Sequence, residues 1–494
     1  MQYVSTRTGA AGMDASAAIV AGLAPDGGLF VPDAFPTVDR AQRLAMAALS
    51  YEERAVAVLQ LFLNDFSEAE IRSCVHAAYG TGFDTPDIAP VVPVGGNRYV
   101  MELWHGPTSA FKDMALQLLP HLMVASRRKQ QEEGKTLILT ATSGDTGKAA
   151  LEGFRDVDGV EVAVYFPAEG VSDMQRLQMV TQRGDNVHVM AVTGSFDDAQ
   201  RGVKTLFGDA NMAERLRAAG YALSSANSIN WGRLAPQIVY YFSAWCDLYV
   251  QGRIGPEEAV DFVVPTGNFG NILAAWYARA MGLPVGRLIC ASNSNHILSD
   301  FFATGDYDTR REFLLTASPS MDILVSSNLE RLLFEACGRD AAQVRGYMEA
   351  LAGEGRYAVP QNVLSRMTGH LCGGWASEQQ TYAAIASAWT QHGYCLDPHT
   401  AVAWQVADER ADPNRPTVVV STASPFKFPA DVLRGLTGSA PEGDAFALCR
   451  ALQAHTGWQQ PAALAELERL PIRHRRVCGR EDLGGALLQE LKLS

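Results

Sequence analysis

The chain has 494 residues, of which 47% are apolar and 19% charged, and its formal net charge is −13. That length exceeds what one hydrophobic core ordinarily serves, so roughly two to three structural units are expected, and the composition excludes a disordered or fibrous chain. The acidic balance opposes binding to nucleic acid or anionic lipid, because both are gripped through surplus Lys and Arg.

At the N-terminus, residues 1–7 lack a basic segment followed by an apolar run, and no later run has the length to span a bilayer, so a cytoplasmic protein is expected. Residues 1–95 read as an N-terminal region of helical segments and loops, closed by the proline-rich stretch 85–93. After it, short apolar runs at 99–101, 137–139, 162–166, 187–190, 262–264, 288–290 and 418–420 alternate with amphipathic segments. This alternation predicts an α/β fold with mostly parallel sheets. A smaller α/β domain is expected over 131–225, and a larger one assembled from 96–130 and 226–494. Phe111, Ala115, Leu118, Leu119 and Leu122 share one face of a 3.6-residue repeat and read as one helix. The eight cysteines show no metal-ligand spacing and read as reduced, mostly buried thiols. The basic run Arg473, His474, Arg475 and Arg476 reads as a solvated face, with no function assigned.

Four loops follow strands and so lie where open α/β sheets bind ligands. In HGPTSAFKD (105–113), Lys112 opens a helix, where the positive end of the helix dipole and burial both favour the neutral amine that attacks an aldehyde. In TSGDTG (142–147), hydroxyls and backbone N–H groups at a helix start suit a carboxylate or phosphate, although alone the segment reads equally as a capped turn. In PTGNFGN (265–271), glycines allow close approach of an anion at a helix N-terminus; the segment is neither a Walker loop nor a GxGxxG dinucleotide site. The fourth, STASPFKF (421–428), is by itself a turn bearing a basic residue.

All four resemble, in sequence and in order, segments of threonine synthases, enzymes that use pyridoxal 5'-phosphate (PLP). So do LAPDGGLFVP (23–32), SINWGR (228–233), SNSN (292–295) and LDPHTAVA (396–403), and the resemblance extends over nearly the whole chain. It implies a tryptophan-synthase-β-like arrangement of two PLP-binding α/β domains plus the N-terminal region. On this resemblance Lys112 carries PLP, Gly267, Asn268, Phe269, Gly270 and Asn271 cradle its phosphate, and the Thr422 hydroxyl faces its pyridine nitrogen. Ser143, Gly144, Asp145 and Thr146 are expected to grip the substrate carboxylate, with Asn230, Arg233 and Lys427 on the substrate phosphate. Asp397 and His399 are read as packing residues, Lys148 is unexplained, and Ser424 stands where the family commonly has His.

The implied reaction converts O-phospho-L-homoserine and water to L-threonine and phosphate, by γ-elimination followed by addition of water at the β-carbon. Alternatives are a threonine-synthase-like phospho-lyase releasing 2-oxobutyrate, and a serine/threonine dehydratase, which LAPDGGLFVP disfavours. The expected partner is the small-molecule substrate, with no nucleic acid and no membrane, in a monomer or small homo-oligomer.

Overall fold

The structure is a computed structural model describing residues 1–9, 12–169 and 171–493. Its strands form where β-branched residues concentrate and both faces are covered. Val260–Pro265 (β9) and Thr417–Ser421 (β14), for example, are buried at every position. Each of the seven apolar runs lies in a strand.

The six-stranded sheet has the order β13-β10-β9-β14-β4-β3, with β3 at Val91–Gly95, β4 at Arg98–Glu102, β10 at Val285–Ser292 and β13 at Leu371–Trp375. Every pairing in it is parallel except the edge hairpin β3–β4. A second, wholly parallel sheet has the order β15-β7-β6-β5-β8: β5 is Lys135–Ala141, β6 Val160–Pro167, β7 Val187–Thr193, β8 Tyr221–Ser224 and β15 Arg476–Gly479. Two antiparallel pairs complete the strands: β1 (Tyr3–Ser5) with β2 (Phe30–Pro32), and β11 (Asp306–Asp308) with β12 (Arg356–Ala358).

The N-terminal region packs on the helix Trp231–Val250, which is buried along most of its 20 residues. Tyr3 and Phe62 set their rings 5.3 and 5.4 Å from that of Trp231, and Arg54 Nη1 meets Asp247 Oδ1 at 2.5 Å. Among the described residues no helix is long and apolar enough to cross a membrane. All eight cysteines are free thiols, six of them buried.

Four expectations need correction. The stretch 91–95, assigned to the N-terminal region, is an edge strand of the first sheet, because hairpin pairing with β4 satisfies its backbone. The terminal β15, assigned with 226–494 to the larger unit, extends the second sheet beside β7. The helix expected through Phe111 and Leu122 is two, Asp113–Leu116 and Leu119–Gln130, the second with proline in its first turn, where a missing N–H is tolerated. The basic run is partly structural: Arg473 and His474 donate backbone N–H groups to Val180 O, and Arg476 lies in β15.

Candidate active site

Strands β9, β14 and β4 are parallel neighbours, so their carboxyl ends, Pro265, Ser421 and Glu102, open on one edge. The loops after β4 and β14 are joined to each other. Phe111 N donates to Thr422 O at 2.8 Å, Ser424 N donates to Ser109 O at 3.1 Å, and Ala110 and Ala423 form a bridge. Within the first loop the Asp113 carboxylate accepts from both the backbone N–H and the hydroxyl of Thr108, each at 2.8 Å. Residues some 300 positions apart thereby fix the backbone that carries Lys112.

The Lys112 side chain is only 9% exposed. Its Nζ lies 3.5 Å from Asp145 Oδ2 and 3.2 Å from Ser320 Oγ. Burial lowers its pKa to about 8, against the opposing pull of Asp145, so about a tenth of the amine is neutral at pH 7, far more than for an ordinary lysine. For Asp145 burial acts in the opposite sense, but Lys427 and Lys112 outweigh it and hold the carboxyl well below its ordinary range.

A cavity of about 270 Å³ joins Lys112 to the turn 267–271. The turn is tight: a Cβ on Gly267 would stand 2.6 Å from Ser320 O, so only glycine fits. Phe269 has a φ of 63° and leads directly into the helix Gly270–Ala280, whose first N–H groups lack intrahelical partners. Two buried donors of cavity-lining residues also have no hydrogen-bond partner among the described residues, Asn271 Nδ2 and Arg233 Nε. The Asn271 carbonyl oxygen is fixed by the hydroxyls of Tyr240 and Tyr241 at 2.7 and 2.6 Å, which sets the direction of the free amide N–H.

Of the remaining expected residues, Ser143, Thr146, Asn268, Gly270, Arg233 and Thr422 line this cavity. Gly144 and Asp145 do not. Gly144, at a φ of 134°, packs where a Cβ would lie 2.5 Å from the Gln175 side chain. The Asp145 carboxylate is taken up by Lys112, Lys427, Ser320 and Gln175, an anion unsuited to gripping a carboxylate. Lys427 is fully buried outside the cavity lining, its Nζ 2.7 Å from Asp145 Oδ1 and donating to Thr108 O at 3.0 Å. A desolvated ammonium needs such partners. Asn230 caps the helix Trp231–Val250, accepting from Gly232 N and donating to Ile19 O, and it too lies outside the lining.

Lys148, unexplained from sequence, is buried and donates to Glu152 and Gln182; Ser424 caps the short turn Pro425–Lys427. His399 does more than pack: it lines the cavity, with Nδ1 2.8 Å from Asp397 Oδ1 and Nε2 accepting from Ser320 N. That pairing corresponds to the tautomer protonated at Nδ1. The sequence reading missed the helix Phe196–Gly208, which turns Phe196, Gln200 and Lys204 toward the cavity at a spacing of four, and it missed Ser320. The spacing was visible, but a polar stripe reads the same when it faces water.

The residues present suit PLP: an amine of lowered pKa, a glycine turn at a helix start, and, among the described residues, unpartnered donors on cavity-lining side chains that an anion would satisfy. Comparison with known proteins agrees. The family descriptions "Threonine synthase N terminus", "Pyridoxal-phosphate dependent enzyme" and "Threonine synthase, C-terminal" match residues 2–79, 90–424 and 400–482. Threonine synthase-like 1 of Homo sapiens is 42% identical over 85% of this chain, which spans 58% of that protein's length. Threonine synthase of Pseudomonas aeruginosa is 41% identical over 89% of this chain and 92% of its own. Among solved structures, the PLP-bound threonine synthase from Brucella melitensis superposes with a TM-score of 0.88 at 40% identity, covering 100% of this chain and 98% of that one. The yeast threonine synthase gives 0.88 at 31%, with coverage of 100% and 99%. The chain belongs to the threonine synthase family of PLP-dependent enzymes.

Proposed function

We propose that the enzyme converts O-phospho-L-homoserine and water to L-threonine and phosphate, and that Lys112 carries the cofactor. The observation that carries this reading is the cavity shared by the Lys112 amine and the turn 267–271, with Arg233 and Lys204 on its wall. Gly267, Asn268, Phe269, Gly270 and Asn271 cradle the cofactor phosphate, and Thr422 stands at the pyridine nitrogen. Bound there, PLP supplies a sink for charge developed at the substrate's α-carbon. Lys112 then moves protons at the α- and β-carbons, which its lowered pKa favours.

Ser143 and Thr146 orient the substrate carboxylate. Two phosphates and a carboxylate need cations, and with Lys427 held by Asp145, Arg233 and Lys204 are the cationic groups of the lining left for the leaving phosphate. Gly144, Asp145, Asn230 and Lys427 act one step removed, by holding these loops in place. The enzyme works in the cytoplasm as a monomer or small homo-oligomer, without nucleic acid or membrane, in keeping with its net charge of −13.

The test is a product assay on the cofactor-loaded enzyme with O-phospho-L-homoserine. Threonine and phosphate in equal amounts are expected. Release of 2-oxobutyrate and ammonia instead would make the protein a phospho-lyase, the second reading, which the similarity to threonine synthase-like 1 keeps in view.

A further inference from the structure

The basic run near the C-terminus has a consequence beyond pairing β15 with β7. It walls a cleft of about 300 Å³ on the outer side of the helix Asp173–Val180, separate from the Lys112 cavity. The lining is largely apolar, with Val180 from that helix, Val189 and Ala191 from β7, and Ile472 and Val477 from the terminal segment. Ile472 and Val477 remain 39% and 60% exposed, which keeps apolar surface open at the cleft.

Around this floor stand arginines whose charge is incompletely matched. Arg475 makes no ion pair among the described residues, and Arg176 has only Asp173, at 3.8 Å. Arg476 is neutralised by Glu490 at 2.5 Å. The His474 ring donates from Nε2 to Gln182 O at 3.0 Å, which fixes its edge of the wall. In a chain of net charge −13, unmatched guanidinium groups over an apolar floor select a ligand with an anionic head and an apolar body.

The same helix touches the catalytic cluster with its other face. Gln175 Nε2 donates to Asp145 Oδ1 at 2.9 Å, and Gln178 Nε2 donates to Thr108 O at 3.1 Å, the carbonyl that also accepts from Lys427. At its end, Val180 O accepts from Arg473 N and His474 N. One eight-residue helix therefore bears the cleft on one side and, on the other, two amides that hold Asp145, itself a partner of Lys112, and Thr108.

We propose that this cleft binds a small amphiphilic anion, an apolar body ending in a carboxylate or phosphate, and that its occupancy is transmitted to the Lys112 cavity through the helix Asp173–Val180. Occupancy that shifts Arg176 or Val180 moves Gln175 and Gln178 with them, because a short helix displaces as a unit.

The test is calorimetric titration of the cofactor-loaded enzyme with octanoate and with octyl phosphate, which separate the two head groups. 1-Octanol and inorganic phosphate supply the tail and the head alone. Saturable binding of at least one amphiphile, at one per chain and at least tenfold tighter than either control, is expected. A double variant Arg176→Gln, Arg475→Gln should loosen it tenfold or more while its activity without ligand is unchanged. Ala191→Leu, which fills the floor and keeps both arginines, should do the same, and it decides the matter if the double variant fails to fold. Saturation should also change the cofactor's absorbance or kcat. Absence of saturable binding, binding of octanol or inorganic phosphate as tight as the amphiphiles, or unaltered affinity in the variants overturns the site. Binding that leaves absorbance and kcat unmoved overturns the transmission.

Discussion

Two loops face each other across the Lys112 cavity, and they handle charge in opposite ways. The turn 267–271 ends in a helix start and carries Asn271 Nδ2, which, like the neighbouring cavity-lining Arg233 Nε, is a buried donor without a partner among the described residues. The loop 142–147 holds Asp145, whose carboxylate is surrounded by two ammonium groups, a hydroxyl and an amide. One loop keeps desolvated donors waiting for an anion, at an energetic cost that the anion removes. The other has its charges closed on one another, a gate that, on the proposed function, Lys112 passes by leaving Asp145 before it reacts. Recognition is thus prepared on the six-stranded side and gated on the five-stranded side.

The largest effect should come from removing the gated group. Lys112→Ala is expected to lower threonine formation by about 10³-fold or more, with loss of the cofactor band that survives borohydride reduction and gel filtration. Next, Asp145→Asn would leave the buried Lys427 ammonium without its counter-charge, a loss of about 3–5 kcal/mol measurable by denaturant unfolding. Because Asp145 raises the Lys112 pKa, the same variant should move that pKa below about 8; an unchanged pH profile would show that the gate does not act through charge.

On the waiting side, Gly267→Ala pushes a Cβ against Ser320 O and should cost about 1–3 kcal/mol, or roughly 5- to 150-fold in cofactor affinity, read by equilibrium dialysis. Lys204→Gln, at the exposed mouth, should raise KM for the phosphorylated substrate about 3- to 10-fold with kcat nearly constant. The mildest probe is pH. Capture of added PLP by the cofactor-free protein needs neutral Lys112, so its rate should climb about tenfold per pH unit below about 8 and level off above. A rise continuing toward the ordinary lysine value would mean that burial does not tune the amine.

The parts legible in the sequence are those whose signal is local. Strands buried on both faces, such as 260–265 and 417–421, are unbroken apolar runs, and the glycine turns that follow them announce themselves. Edge strands were hidden because they are only partly covered: Leu371–Trp375 contains Gly373 and Gly374, and Arg476–Gly479 begins with a charge. At the site, the sequence pointed to Lys112 and the turn 267–271, and both line one cavity. The destinations of Lys427 and Asn230 were not readable, since a lysine that approaches a ligand and one that pairs with Asp145 look alike in one dimension. Ser320 and Lys204 come from elements with no glycine or motif to mark them, and only packing brings them to the cavity.

The placement of β14 bears on how the enzyme comes into being. It sits between β9 and β4 in the interior of the first sheet, and its following loop clamps the backbone beside Lys112. On the ribosome, the lysine emerges well before the strand that completes its surroundings, which is made more than 300 residues later. Until then β9 and β4 lack the strand that lies between them, and the burial that lowers the Lys112 pKa is incomplete. Vectorial synthesis thereby delays the confinement of that amine until β14 has been made.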